Sequence, residues 1–342
     1  MSLERYTYDH HSPLELESGE ELPTVRLVYH SSVNPHSIAE AIAQGRRIVW
    51  ICHALTANSD PSEWWAELVG PKRYFDTERD IVICANTIGS CYGSTGPAAW
   101  EGAPLDFPQF TVRDIVAAHI ELRKHLGIEN VDLLVGSSVG GFQALEWAIM
   151  EPSTIEKLVL IACNERITPW ATAFNESQRM AIEADHTFEK QESLEGGTKG
   201  LRAARSMALI SYRSYEGYNS TQQEEDDNCI SAQRAATYQR YQGMKLSDRF
   251  DAYSYYYMTK MLDSHNVGRN RGGVTKALGS IQAKTITVSI GSDILFPPSE
   301  LKYMASKIPS AEYAEIQSAF GHDGFLIEWR SLKKVIDAFL SE

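Results

Sequence analysis

The chain has 342 residues, 43% of them hydrophobic and 23% charged, with a formal net charge of −13. This is the composition of an ordinary globular protein, and the acidic balance excludes a nucleic-acid binder, which would carry a basic face, while leaving room for a local basic patch for a phosphate-bearing ligand. The five cysteines, Cys52, Cys84, Cys91, Cys163 and Cys229, form no C-x-x-C pair, so neither a metal site nor a disulfide framework is expected. The first residues lack a secretory core segment, and no apolar run approaches the roughly 18 residues of a membrane span. A cytoplasmic protein without a membrane partner is expected.

Short runs rich in Val and Ile recur, each followed by turn residues: TVRLVYH (24–30), RIVWICHAL (47–55), DIVICANTIG (80–89), VDLLVG (131–136), EKLVLIAC (156–163) and AKTITVSIG (283–291). They lack clean alternation, which predicts strands buried on both faces of a mostly parallel sheet. Helical patterns fall between them, at TVRDIVAAHIELRKHLGI (111–128) and GFQALEWAIM (141–150). The implied fold class is α/β, wound with right-handed crossovers and with helices on both faces. From 166 to 280 the chain is polar, helical in character and short of strand-like runs. The predicted organisation is a core of 1–165 and 281–342 with a helical lid inserted at 166–280. The acidic QQEEDDN (222–228) is expected to be solvated, and the aromatic YSYYYM (253–258) is expected at an interface or in a core. A last strand, AEYAEIQ, and an amphipathic closing helix, FLIEWRSLKKVIDAFL (325–340), end the core.

The apolar run LLVGSSVGGFQALEW (133–147) stops in glycines and serines before resuming as a helix. G-x-S-x-G fits one frame only, Gly136 to Gly140, and selects Ser138 over Ser137. A sharp strand-to-helix turn strains the serine backbone, and side chains two positions either side would collide. The same turn sets the hydroxyl at a helix amino end, where unpaired N–H groups favour developing negative charge.

A serine needs a base, and in this motif's setting the acid and the histidine follow the nucleophile. The histidines after Ser138 are His186, His265 and His322. His186 lies in the polar insertion and His265 reads as a lid residue. His322, in the glycine-flanked AFGHDGF after the last strand, is the triad candidate. Asp293 in SIGSDILFPP is the acid, with Asp263 its rival. The oxyanion hole is assigned to the N–H groups of Val139 and, in the turn CHALTAN, Leu55. His53 in that turn is read as shaping the loop.

Ordered blocks from about residue 25 to the end carry a resemblance more specific than the elbow. They include CHALTA (52–57), ICANTIGSCYGSTGP (83–97), SSVGGFQALEWA (137–148), GLRAARSMALISYRS (200–214), LDSHNVGRNRG (262–272) and GHDGFL (321–326). These blocks resemble the homoserine O-acyltransferases of methionine biosynthesis. The resemblance implies an α/β-hydrolase fold with a helical lid, a homodimer, no permanently bound cofactor, and acetyl-CoA as co-substrate in a ping-pong transfer to the γ-hydroxyl of L-homoserine. It implies that Arg213 of the YRS motif receives the amino-acid carboxylate and that Asp323 receives the ammonium, a chemistry suited to a planar guanidinium and a carboxylate.

Four positions depart from the family pattern. Ser137 stands for glycine and is expected to narrow or rewire the pocket floor. Val139 stands for methionine, Asn266 for aspartate and Asn270 for glycine. Succinyl-CoA as donor, serine as acceptor and plain ester hydrolysis remain open alternatives.

Overall fold

A computed structural model of the protein describes residues 2–341. Its centre is an eight-stranded sheet, numbered here in chain order: β1 (Glu4–His10), β2 (Val25–Ser31), β3 (Ile48–Cys52), β4 (Ile81–Ala85), β5 (Val131–Ser137), β6 (Ile155–Ile161), β7 (Lys284–Ile290) and β8 (Glu312–Ile316). The spatial order is β1-β2-β4-β3-β5-β6-β7-β8. β2 runs antiparallel to both of its neighbours, and every other pairing is parallel.

The sheet is buried on both sides, as the unalternating Val/Ile runs predict. Along β3, Ile48, Trp50 and Cys52 enter one apolar layer while Val49 and Ile51 enter the other. β5 and β6 divide in the same way, Leu134, Leu158 and Leu160 against Leu133, Val159 and Ile161. Among helices of eight or more residues, α1 (Val112–His125) and α2 (Val139–Met150) fill the first layer. α1 opens on a capping box in which Thr111 and Asp114 satisfy each other's exposed amides.

Between β6 and β7 the chain leaves the sheet as α3 (Pro169–Glu183), α4 (Thr198–Tyr212), α5 (Tyr215–Gln222), α6 (Gln233–Ser247) and α7 (Ala252–Asp263). The excursion starts and ends side by side: Ile167 N donates to His265 O and Val267 N to Glu165 O, both at 3.0 Å. The aromatic run lies on α7 and is core, since Tyr253, Tyr255, Tyr257 and Met258 are buried. The acidic stretch is exposed from Glu225 to Asn228. After β7, α8 (Pro298–Ala305) and α9 (Trp329–Ser341) complete the fold, α9 closing the second layer with Leu332, Ile336 and Phe339. The closing helix is shorter than its sequence pattern. A separate turn of helix spans Gly324–Ile327, and the chain bends at Glu328 before α9 begins.

Candidate active site

β5 ends in the predicted elbow. Ser138 has φ +54° and ψ −124°, a conformation that L residues rarely adopt. A Cβ on Gly136 would stand 2.1 Å from the Gly140 carbonyl oxygen, and one on Gly140 would stand 2.0 Å from that of Cys52. Side chains are therefore excluded two positions either side, and the elbow touches the end of β3. Ser138 N donates to Ile161 O at 2.9 Å, tying the strained residue to β6.

The loops after β7 and β8 bring the other two groups to it. Ser138 Oγ lies 2.9 Å from His322 Nε2, and His322 Nδ1 lies 2.7 Å from Asp293 Oδ2. Because Nδ1–H donates to the carboxylate, Nε2 is left to accept from the serine hydroxyl. All three are buried, with Ser138 7%, Asp293 3% and His322 2% exposed. Asp293 also caps its own turn, its Oδ1 accepting from Leu295 N at 2.8 Å and Phe296 N at 3.0 Å. The rings of Tyr212, Phe296 and Phe325 surround His322 at 5.8, 5.3 and 5.4 Å. Burial alone would push the imidazole down, but the charge and hydrogen bond of Asp293 carry it above the ordinary histidine value.

Val139 opens α2, so its N–H has no partner within the helix and faces the serine end. Leu55 lines the same cavity as Ser138, on the loop after β3. His53 fixes that loop. Its ring nitrogen Nε2 accepts from Thr87 N at 3.3 Å, Nδ1 donates to Ala54 O at 2.8 Å, and its carbonyl accepts from Gln143 Nε2 at 3.3 Å. Complete burial drops its pKa to about 4, so it stays neutral and structural.

The rivals lie elsewhere. Asp263 is held by Arg179 at 2.5 Å and Asn175 at 2.8 Å. His265 stacks on Phe142 at 4.0 Å and donates to Asn164 O, and His186 is exposed.

Arg213 and Asp323 come together as an ion pair at 2.9 Å. Asp323 lines the Ser138 cavity, whereas Arg213 lines a neighbouring one of about 360 Å³ with Tyr218 and Gln239. The YRS motif is fastened to the histidine loop. Ser214 caps α5 by accepting from Gly217 N and donates to Ala319 O. At Gly321, with φ +64°, a Cβ would come within 2.6 Å of the Arg213 backbone. Burial raises the Asp323 carboxyl above the usual aspartate range despite the opposing charge of Arg213.

Two of the four departures, Asn266 and Asn270, find local explanations. Ser137 is fully buried at the end of β5, paired with Ile161, and is not among the residues lining either cavity at Ser138, so the expectation that it shapes the pocket floor is corrected. Asn266 Oδ1 accepts from Gly268 N at 2.9 Å, an Asx turn. Asn270 has φ +59°, the left-handed region that asparagine tolerates where glycine is otherwise favoured.

The cavity at Ser138 measures about 620 Å³. Its lining adds Arg205, Lys245 and Arg249, which sequence reasoning did not single out.

Strand order, elbow and loop-borne acid and histidine define an α/β hydrolase in fold, and a family model described as alpha/beta hydrolase fold matches residues 47–328. A homoserine O-acetyltransferase of Cyclobacterium marinum is 40% identical over 96% of this chain and 93% of its own length. The chain belongs to the homoserine O-acetyltransferase family. Among solved structures, the homoserine O-acetyltransferase of Staphylococcus aureus superposes with TM-score 0.82 at 28% identity, covering 100% of this chain and 96% of that one. The esterase E22 superposes with TM-score 0.87 at 19% identity, covering 99% and 100%, a likeness of fold alone.

Proposed function

We propose that this protein moves an acetyl group from acetyl-CoA to the γ-hydroxyl of L-homoserine through an acetyl-Ser138 intermediate. The observation that carries the reading is the continuous Ser138–His322–Asp293 hydrogen-bond chain at the elbow of a chain 40% identical to a named homoserine O-acetyltransferase.

In the first half-reaction His322 Nε2 takes the Ser138 proton as Oγ attacks the thioester carbon. The oxyanion of the tetrahedral intermediate is held by the Val139 and Leu55 amides. The C–S bond breaks, and His322 returns the proton to the departing thiolate. In the second, homoserine's hydroxyl gives its proton to His322 and attacks the acyl carbon. The C–Oγ bond breaks, and Ser138 regains a proton from the imidazole. Arg213 and Asp323 separate to take the amino acid's carboxylate and ammonium. The helical insert acts as a lid that keeps water from the acyl-enzyme.

An acetyl donor suits the void beside the serine. It measures about 20 Å³, is lined by the apolar Leu55, Val139, Phe174, Leu262, Leu295 and Phe296 together with the neutral polar Asn175, Gln178, Ser211 and Tyr212, and has no Lys or Arg in its lining. A succinyl carboxylate would be desolvated there without a counter-charge. Exposed Trp170, Met180, Ile210 and Met244 on the insert support a homodimer through the lid. An acyl-CoA donor supports a cytoplasmic setting for the reaction. Among the described residues no helix is long and apolar enough to cross a membrane.

Intact-mass spectrometry after mixing with acetyl-CoA tests the reading. One added acetyl is expected, lost on addition of homoserine and never formed in Ser138→Ala. The same triad would serve ester hydrolysis if water reached the acyl-enzyme, and this is the second reading. Brisk turnover of p-nitrophenyl acetate with no interception by homoserine would favour it and overturn the transferase.

A further inference from the structure

We propose that Ile167 and Leu295 set the acyl-chain length of the donor, as a two-residue wall that closes the void beside Ser138 against an outer groove of about 830 Å³. The proposal rests on the acyl-transfer reading above and names what restricts that donor to a short chain.

Three spaces adjoin through shared residues. The void of about 20 Å³ shares Leu55, Ser138 and Tyr212 with the cavity of about 620 Å³. Of the described residues that line the void, Ile167 and Leu295 are the two that also line the groove. A void of this size has room for about one group as large as water or a methyl. The methyl of an acetyl group fits, and each further methylene would have to overlap side chains already packed there. Beyond the wall the groove offers apolar surface, with Trp170 and Ile294 exposed along it.

Both halves of the wall are anchored. Leu295 is buried on the loop after β7, and its N–H donates to Asp293 Oδ1 at 2.8 Å, so the triad acid also fixes the residue that blocks the void. Ile167 stands at the start of the insert, and its N–H donates to His265 O at 3.0 Å, where the insert returns. Both anchors are backbone amides, so trimming either side chain leaves them in place. Core packing would account for one buried leucine, since Leu295 joins the first apolar layer. It does not account for a leucine and a half-buried isoleucine, from two separate loops, bordering the same two spaces with the nucleophile in one of them.

The test is a donor series of acetyl-, butyryl- and hexanoyl-CoA with homoserine as acceptor, followed by release of free thiol. Each kcat/KM is divided by that for acetyl-CoA on the same sample, which cancels any loss of folded protein. In the wild type butyryl-CoA should be used roughly a hundredfold less well than acetyl-CoA, about tenfold for each added methylene. Leu295→Ala, and separately Ile167→Ala, should each raise the butyryl ratio by roughly tenfold or more. Replacing leucine by alanine removes three carbons, which alone would admit a pentanoyl chain at most. Use of hexanoyl-CoA by Leu295→Ala is therefore expected as well, because the chain then runs on into the groove. The acidic limb of the pH profile with acetyl-CoA should stay at its wild-type position, since the amide that holds Asp293 is retained. If both variants keep the wild-type butyryl ratio, or the wild type uses butyryl-CoA as well as acetyl-CoA, the wall is overturned while the acetyl-enzyme still forms. A gain accompanied by a displaced acidic limb would mean a loosened triad and would overturn it too. If no acetyl-enzyme forms in the wild type, the functional reading itself falls, and the wall with it.

Discussion

Asp293 spends its two carboxylate oxygens differently, one on the Leu295 and Phe296 amides and the other on His322 Nδ1. The first pair fixes the carboxylate, so the second holds the ring in the tautomer whose Nε2 accepts from Ser138. Asp293→Asn keeps the shape but offers an amide donor, which favours the opposite tautomer. A fall of about 10³–10⁴ in kcat is expected from comparable replacements. The pH profile separates this from simple damage. His322 must be neutral to act as a base, so wild-type kcat/KM falls as pH drops through its raised pKa. In the variant the raising charge is gone and burial pushes the ring down, so the acidic limb should move to lower pH. An unmoved limb would sink the assignment. These residues were legible in the sequence because each obeys a local rule: glycines two either side of Ser138, a turn aspartate after β7, a histidine between glycines after β8. The cations that line the Ser138 cavity obey no such rule. Arg205 and Lys245 line one cavity because α4 packs on α6, which spacing along the chain does not encode.

The six strands read from Val/Ile runs match the structure to within a residue or two at their starts, because burial on both faces leaves an unbroken apolar signature. The run at 47–55 overreached, since its tail, HAL, is the loop that carries Leu55. β1 escaped notice because it is an edge strand, and ERYTYDH carries mostly solvent-facing polar residues. The anchorage of the insert was equally invisible. Buried Glu146 on α2 holds Arg113 of α1 at 3.3 Å and Arg271 of the returning chain at 2.5 Å, while Glu17 holds Arg113 and Arg269. Arg113 also donates to the carbonyls of Asn266 and Arg269. This network pins the returning end of the insert onto two core helices. Glu146→Ala would leave Arg271 without its carboxylate and Arg113 with Glu17 alone, an expected loss of about 1–3 kcal/mol. The measurement is urea unfolding combined with hydrogen exchange. Amides at 265–273 should exchange faster than those of β5 and β6. Uniform loss of protection would show instead that the network serves the whole core.

At the scale of the molecule, acid should unfold this protein through histidines that take no part in the chemistry. His53, His119 and His265 are completely buried, and desolvation lowers their pKa values to about 4, 3 and 3. Each therefore stays neutral in the folded state while the unfolded chain binds a proton near the ordinary value of about 6.5. With more protons bound in the unfolded state, stability falls as pH falls, by roughly 1.4 kcal/mol per pH unit for each group. The three together give roughly 4 kcal/mol per unit below pH 6.5, and His30, also lowered by burial, adds in the same direction. His322 is shifted the opposite way, but its stabilising contribution is complete once the pH has dropped to the ordinary histidine value, and it is constant below that. Asp114, Glu165, Asp251 and Asp323, whose carboxyls burial raises, oppose the trend only as the pH nears their own titration. The window to examine is therefore pH 6.5 to 5. Against a typical total of about 5–15 kcal/mol, the loss is large enough to pull the urea midpoint down steeply. His119 sits among Trp50 and Trp147, with ring centroids 6.3 and 6.2 Å away, and lines neither cavity at Ser138. His119→Leu should remove about a third of the pH slope below 6.5 without moving the acidic limb of kcat/KM, which belongs to His322. A urea midpoint that stays level from pH 6.5 to 5 in the wild type would mean that water or a rearranged core already solvates these rings.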